Sequence, residues 1–413
     1  MHILLLSAYF PPETGSASHL FYELGRTFVA RGHHVSVVTG FPAYHVQGDT
    51  QRYRGHKWMR EYLDGLEVYR IAVLQVARRT PVGRALWQFS AAASFFIAGL
   101  RVPSPDVALV YSPPLPLGLT AFALRKALGT PFVVNVQDLF PQSVIDLGIL
   151  RNKALIRFFE GMERFVYKHA DAITVHSAKN REHVVSKGGK TERTFVVHNS
   201  VDVDFLQPGD KHNALCQRLG LCDKFVVSFA GVIGYSQDLD VVLEAARILQ
   251  TYPDIHFLLV GDGVEKERLV RKGREMGLPN VTWLPMQPRD KYPDVLHMSD
   301  AGLATLHAEV RTPVVPSKIW SNMAAGVPVV AAMNLNGDAP ALIEESGGGI
   351  CVPPEDPHAL ADAILQLYRD PELRRSLGIQ GRTYVERHLS PQVIAERYEA
   401  IFARLSHSET RRP

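Results

Sequence analysis

Short apolar runs alternate with helix-length segments along the whole chain. In the first half the runs HILLLS, HVSVVTG, LEVYRIA, VALVYS, PFVVNVQD, AITVHS and TFVVHN read as strands. They are rich in β-branched residues and almost continuously apolar, as strands buried on both faces of a parallel sheet must be. The pattern then restarts with FVVSFAG, IHFLLVGD, VTWLP, AGLATL, VPVVAA and GICV, with helices such as Asp240 to Thr251 and Glu265 to Gly277 between them. This grammar predicts an α/β fold of two doubly wound, Rossmann-like domains. The polar stretch VVHNSVDVDFLQPGDKHN places the joint between them, giving domains 1–205 and 206–390. A last amphipathic segment, Pro391 to Leu405, carries Val393, Ile394, Tyr398, Ile401, Phe402 and Leu405 on one face. We expect it to cross back and dock on the first domain.

At 413 residues the chain exceeds the roughly 250–300 at which single cores stop growing, which agrees with two domains. A composition of 46% hydrophobic and 21% charged residues is that of an ordinary globular protein. Charge is uneven: residues 1–205 carry 23 Lys and Arg against 16 Asp and Glu, whereas the remainder is net acidic. A basic first half can attract nucleic acid, anionic lipid or a phosphorylated substrate; without a reader motif or a dense basic stripe, nucleic acid is the weakest choice, and none is expected as a partner. Cys216, Cys222 and Cys351 show no metal-ligand spacing, and the start MHILLLS reads as a buried strand rather than a secretory leader. Both point to a cytoplasmic protein. The stretch Ala85 to Leu100, flanked by Arg78, Arg79, Arg84 and Arg101, is too short to span a bilayer. It reads either as a helix packed on the sheet or as an interfacial helix with Trp87, Phe95 and Phe96 at the lipid boundary.

The run from Leu303 to Ala332 carries the most chemistry. It predicts a strand, a polar loop, a short helix and a second strand. In open α/β sheets ligands bind outside the carboxyl ends of the strands, where a helix N-terminus offers unpaired N–H groups to an anion. Pro316, Ser317 and Lys318 fall at that helix start, and a diphosphate suits them; the plainer reading is a solvated lysine beside a capping serine. Tyr9 to Ser16 reads as a similar strand-to-helix turn in the first half, with Gly15 and Ser16 at its end, where the helix begins. Asp138, just past PFVVNVQ, can orient or deprotonate an acceptor hydroxyl, or it can cap the turn that follows. Gly231 to Gly234 would bring backbone N–H groups to a diphosphate, while the GDG at Gly261 to Gly263 lacks the third glycine of a dinucleotide fingerprint. Asp238 and Asp240 form a DxD, but they precede the helix VVLEAARIL and read as helix-start acids rather than metal ligands. His2, His33, His34, His176 and His198 lack ligand spacing and read as structural.

Seven motifs occur together and in order: AYFPPETGSASHLFYELGRTFVARGHHVSVVTGFPAY, SPP from Ser112, QDLFPQS from Gln137, AGVIGYSQDLD from Ala230, VGDG from Val260, LPMQP from Leu284, and PSK with MAAGVPVV. On these the chain resembles the family-4 glycosyltransferases of the GT-B fold, and within them the WbuB-like enzymes of bacterial surface-polysaccharide assembly. The resemblance implies two Rossmann-like domains facing across a deep cleft, and sugar transfer from a nucleotide donor, UDP-linked in our reading. It implies retention at the anomeric carbon and neither metal nor other cofactor. Asp138 and Lys318 would be catalytic; Gly15, Ser16 and Ser112 would hold a glycan or lipid-linked saccharide acceptor. Gly231, Gly234, Gly263, Met286, Gln287, Glu309, Arg311, Ser317 and Ser321 would hold the donor. Two departures stand out. The basic pair common after the first strand of the second domain is replaced by Tyr235, Ser236 and Gln237, so Arg311 and Lys318 must supply the charge. The paired glutamates of many relatives fall at Pro313 and Ser321, which leaves Glu309 as a candidate ribose ligand. A UDP-sugar 2-epimerase and a non-catalytic nucleotide-sugar-binding subunit are the rival expectations. A peripheral place on the cytoplasmic face of the inner membrane, through contact of the N-terminal domain with anionic lipid, is a further one.

Overall fold

The computed structural model describes residues 1–13, 16–43, 46, 50–76, 80–146, 148–310 and 312–409, with the backbone alone for Ser16, Pro81 and 406–409. The chain divides into two compact units, Met1–Ser200 joined by Pro391–Pro413, and Val201–Ser390.

The first unit holds one eight-stranded sheet: β1 (His2–Leu6), β2 (His34–Gly40), β3 (Trp58–Leu63), β4 (Leu66–Ile71), β5 (Val107–Ser112), β6 (Phe132–Val136), β7 (Ala172–Val175) and β8 (Thr194–Val196). Their order is β3-β4-β2-β1-β5-β6-β7-β8. Strand pairs are parallel throughout except β3 with β4. The chain winds outward in both directions from β1, and the reversal lies between β1 and β5. Apolar side chains fill both faces, with Leu4, Val110 and Phe132 in one cluster and Ile3, Phe28 and Leu109 in the other.

β3 is absent from the sequence reading. Its burial alternates instead of forming an apolar run, because it is an edge strand with one face in solvent. A hairpin at Asp64 and Gly65, both with positive φ, joins it to β4.

The helix Pro391–Glu409 belongs to the first unit, where Ile394, Tyr398, Ile401 and Phe402 enter the cluster around Phe28. The Tyr398 hydroxyl accepts a hydrogen bond from Asn135 of β6 at 2.7 Å, and Arg31 donates twice to Glu399, at 2.6 and 2.8 Å. Those bonds, Arg31 first, hold the Glu399 carboxyl down at about 2.

The joint falls between Ser200 and Val201, five residues earlier than expected. The Val201 N–H donates to the Leu389 carbonyl, and Val201, Val203 and Leu206 are buried in the second unit's core. The polar look of this stretch hid an apolar residue at every second or third position.

The helix Pro81–Gly99 packs on the sheet through Trp87, Ala91, Phe95 and Ala98. This corrects the interfacial reading for Trp87 and Phe95, which are buried; Arg78 and Arg79 lie outside the described residues. A different stripe faces outward: Val82, Leu86, Phe89 and Ile97. No described helix is long and apolar enough to cross a membrane.

The second unit has six parallel strands, β9 (Phe225–Ala230), β10 (Ile255–Val260), β11 (Val281–Leu284), β12 (Ala301–Thr305), β13 (Val329–Ala332) and β14 (Gly349–Val352). The order β11-β10-β9-β12-β13-β14 is that of a doubly wound nucleotide-binding sheet, with its reversal between β9 and β12. The helices expected at Asp240 to Thr251 and Glu265 to Gly277 run over Leu239–Ile248, continued by a 3-10 turn, and Lys266–Glu275.

Candidate functional site

At the carboxyl edge of β9 and β12 the chain brings together groups of unusual charge character. β9 ends at Ala230, and Gly231 turns there with φ +150, a conformation that L side chains rarely adopt. Its N–H donates to Val260 of β10. A Cβ on Gly231 would lie 3.5 Å from the Lys318 ammonium, so the open backbone of this turn faces that cation. Gly263, at φ +157, serves differently. A Cβ there would come within 2.2 Å of the Ile233 carbonyl, so its smallness lets the loops after β9 and β10 lie together. Gly234 sits in extended backbone just ahead of the 3-10 turn Tyr235–Gln237.

Lys318 stands in the first turn of the helix Ser317–Ala324, which follows the loop after β12. Pro316 holds the cap position and no side chain caps this turn, so Ser317 is exposed rather than capping. The Lys318 ammonium lies 3.5 Å from the centre of the Phe229 ring and donates to Gln237 Oε1 at 2.7 Å. Among the described residues no carboxylate pairs with it. Desolvation without an anionic partner pushes its pKa down to about 7. A cation held in this way can receive an incoming anion.

Gln237 is the partner that sequence reading missed. Its backbone carbonyl also accepts from Thr305 of β12. Ser321 donates to the Ser317 carbonyl at 3.3 Å. Glu309 is exposed, the Met286 N–H donates to Asp262 at 2.8 Å, and the Gln287 amide turns back to the Pro285 carbonyl. Arg311 lies outside the described residues.

The DxD residues go separate ways. Arg268 and Lys272 take up Asp240, the latter at 2.7 Å, and hold its carboxyl at about 2. Asp238 caps the helix Leu239–Ile248 through the Val241 N–H.

In the first unit, Asp138 follows β6 at the same kind of edge. Its side chain keeps a face in solvent, yet the packed surroundings desolvate the carboxyl and raise its pKa. No capping bond to it occurs among the described residues. Tyr111 lies close by; burial first, then the Asp138 charge, raises its pKa. Ser112 is only 4% exposed and its carbonyl accepts from the Gln137 N–H, so it supports this edge from beneath rather than opening onto it. Gly15 lies outside the described residues, as does the Ser16 side chain.

The five histidines all have partners within the first unit. His2 meets Ser36 at 2.9 Å, His33 meets Glu399 at 2.9 Å, His34 meets Glu67 at 3.2 Å, His176 meets Asn180 at 3.1 Å and His198 meets the His176 carbonyl at 2.8 Å.

Comparison with known proteins matches the family Glycosyl transferases group 1 over residues 217–384 and the family Glycosyl transferase 4-like domain over residues 14–200. The putative colanic acid biosynthesis glycosyl transferase WcaI of Escherichia coli K12 is 27% identical over 407 residues, covering 96% of this chain and 98% of that protein. Among solved structures, sucrose-phosphate synthase of Thermosynechococcus elongatus superposes with a TM-score of 0.76 at 18% identity, covering 99% of this chain and all of that one. Anabaena HepE in complex with UDP-glucose gives 0.69 at 18% identity, over 98% of this chain and all of that one. These two likenesses concern the fold.

Proposed function

Because the chain belongs to the family-4 glycosyltransferases of the GT-B fold, matched in its two halves by the 4-like and group 1 family descriptions, we propose that it moves a sugar from a UDP-linked donor to a surface-polysaccharide or lipid-linked glycan acceptor. The observation that carries this reading is Lys318, desolvated over Phe229 at the β9/β12 switch point with no carboxylate among the described residues to neutralise it. Two comparisons support the donor and acceptor classes: HepE is a structure with UDP-glucose, and WcaI is named for colanic acid biosynthesis.

In this mechanism the donor diphosphate sits against the Gly231 turn and the first turn of the helix Ser317–Ala324. As the bond from the anomeric carbon to the phosphate oxygen breaks, the electron pair leaves with UDP. Lys318 and the helix dipole stabilise that charge, which is the role a metal plays elsewhere, so the transfer itself needs none. The acceptor oxygen bonds to the anomeric carbon on the face that UDP leaves, retaining configuration, and Asp138 takes its proton. The expected result of a thermal-shift screen is that UDP and a UDP-sugar raise the melting temperature. Radiolabel from that sugar then passes to a lipid-linked saccharide. Isomerisation of the sugar with no acceptor present would replace transfer with 2-epimerisation; binding without turnover on a broad acceptor panel would leave a carrier subunit.

The exposed stripe of Val82, Leu86, Phe89 and Ile97 supports docking of this unit on an anionic bilayer, the source of a lipid-linked acceptor. Phe89, Phe158 and Arg157 line a shallow, mainly apolar groove of about 480 Å³. An amphipathic surface with basic flanks binds anionic vesicles. Co-sedimentation with phosphatidylglycerol vesicles is expected for the wild type and lost in Leu86→Glu, whose position is already solvent-facing. Equal recovery of both proteins in the supernatant would remove the membrane from the reading.

A further inference from the structure

Beside the donor loop lies a group of side chains that the transfer mechanism leaves unused. Asp238, His307 and Glu355 come from the loops after β9, β12 and β14, and one ligand atom from each lies within 4.8 Å of the others. Asp238 is 4% exposed. One of its oxygens accepts the Val241 N–H, and the other, Oδ2, is buried with no hydrogen-bond partner among the described residues. A buried carboxylate oxygen left unpaired costs on the order of 1–3 kcal/mol or more, so its persistence calls for an explanation. Two of the four described non-glycine residues with positive φ are Asp238 and Glu355, at +41 and +59, and both strained positions therefore fall in one cluster.

We propose that Asp238, His307 and Glu355 form a binding site for a divalent transition-metal ion. The donor set of one imidazole and two carboxylates matches Zn²⁺, Mn²⁺ or Co²⁺ better than the all-oxygen shells of Ca²⁺ or Mg²⁺. His307 Nε2 already faces Asp238 Oδ1 at 3.8 Å, against roughly 3.3–3.5 Å for two ligands on an ion with ~2.1 Å bonds. Glu355 Oε1 lies 3.2 Å from the other ring nitrogen and accepts the Ala308 N–H, and its side chain is half-exposed. Two carboxylates would balance the double charge of the ion. The site differs from the DxD of the sequence: Asp240 is committed to Arg268 and Lys272, and the ligands come from three separate loops. The ion would sit beside Gln237, the residue that holds Lys318, without taking part in the bond exchange.

The test uses the full chain stripped with a chelator and titrated with Zn²⁺, Mn²⁺ and Mg²⁺ by calorimetry, with Co²⁺ absorbance as a second readout. One saturable site for Zn²⁺ or Mn²⁺, with Mg²⁺ much weaker, is expected. Asp238→Asn, which preserves the helix cap, and Glu355→Gln at a half-exposed position should each weaken it by tenfold or more. Absence of saturable binding by Zn²⁺, Mn²⁺ and Co²⁺ would overturn the proposal, as would equal affinity in wild type and both variants. In that case the three side chains form only a polar cluster, with Glu355 and Asp238 facing the two ring nitrogens of His307. None of these readouts depends on sugar transfer.

Discussion

The two units wind their sheets alike, yet their carboxyl edges are prepared with opposite charge. Behind β9 and β12 stands a half-buried lysine whose ammonium rests on a ring face and an amide oxygen. Behind β6 stands an aspartate whose desolvation pulls it toward its protonated form. Both groups are held away from their ordinary protonation balance, and in opposite directions. The difference teaches that a common winding fixes where ligands can bind, while one or two side chains at the edge decide which charge each site awaits. The division suits the proposed transfer, in which charge would leave with UDP at one edge and a proton would leave the acceptor hydroxyl at the other.

The strongest way to break this comparison is Lys318→Ala. Loss of a preorganised cation facing a developing anion is expected to reduce kcat/KM by about 10²–10³-fold, measured as UDP released per enzyme. Wild-type turnover in this variant would strip the second unit's edge of its role. Asp138→Asn should act on the other side alone. Acceptor-dependent kcat falls by about a hundredfold while UDP affinity stays unchanged. Because the Asp138 pKa is raised, wild-type activity should climb with pH over a range above that of an ordinary aspartate, and the Asn variant should lack that limb. A drop in UDP affinity instead would merge the two edges into one site.

A smaller effect sharpens the contrast. Unliganded Lys318 loses its proton as pH rises through about 7. Pairing with phosphate favours the charged form and raises that pKa, so binding above pH 7 must draw a proton from solution. UDP affinity should therefore decline as pH rises beyond 7. Calorimetry at pH 8 in buffers of different ionisation enthalpy should report uptake of up to about one proton per UDP, and none in Lys318→Ala.

The doubly wound architecture was legible because strands buried on both faces write themselves as unbroken apolar runs. β3 was not, since its half-solvated residues, among them Arg60 and Glu61, break the run; the Asp64–Gly65 pair was the available signal. On the helix Pro81–Gly99 two apolar stripes lie side by side, and periodicity alone could not say which one the sheet covers. Lys318 was readable from its place after a strand and a loop. Its partners Phe229 and Gln237 were not, because they lie more than eighty residues upstream and meet it only through the pairing of β9 with β12. The same applies to His307 and Glu355, which become neighbours of Asp238 only when three loops converge.

The return of the helix Pro391–Glu409 to the first unit has a consequence for synthesis. Phe28 and its neighbours stay uncovered until residues 391–409 have left the ribosome, after the entire second unit. At about 5–20 residues per second, the interval spent making residues 201–390 is roughly ten to forty seconds. During it an apolar surface on the earlier-made unit is open to chaperones and to neighbouring nascent chains. The protein therefore matures out of order: the half made second can finish first, and the half made first must wait for the closing helix.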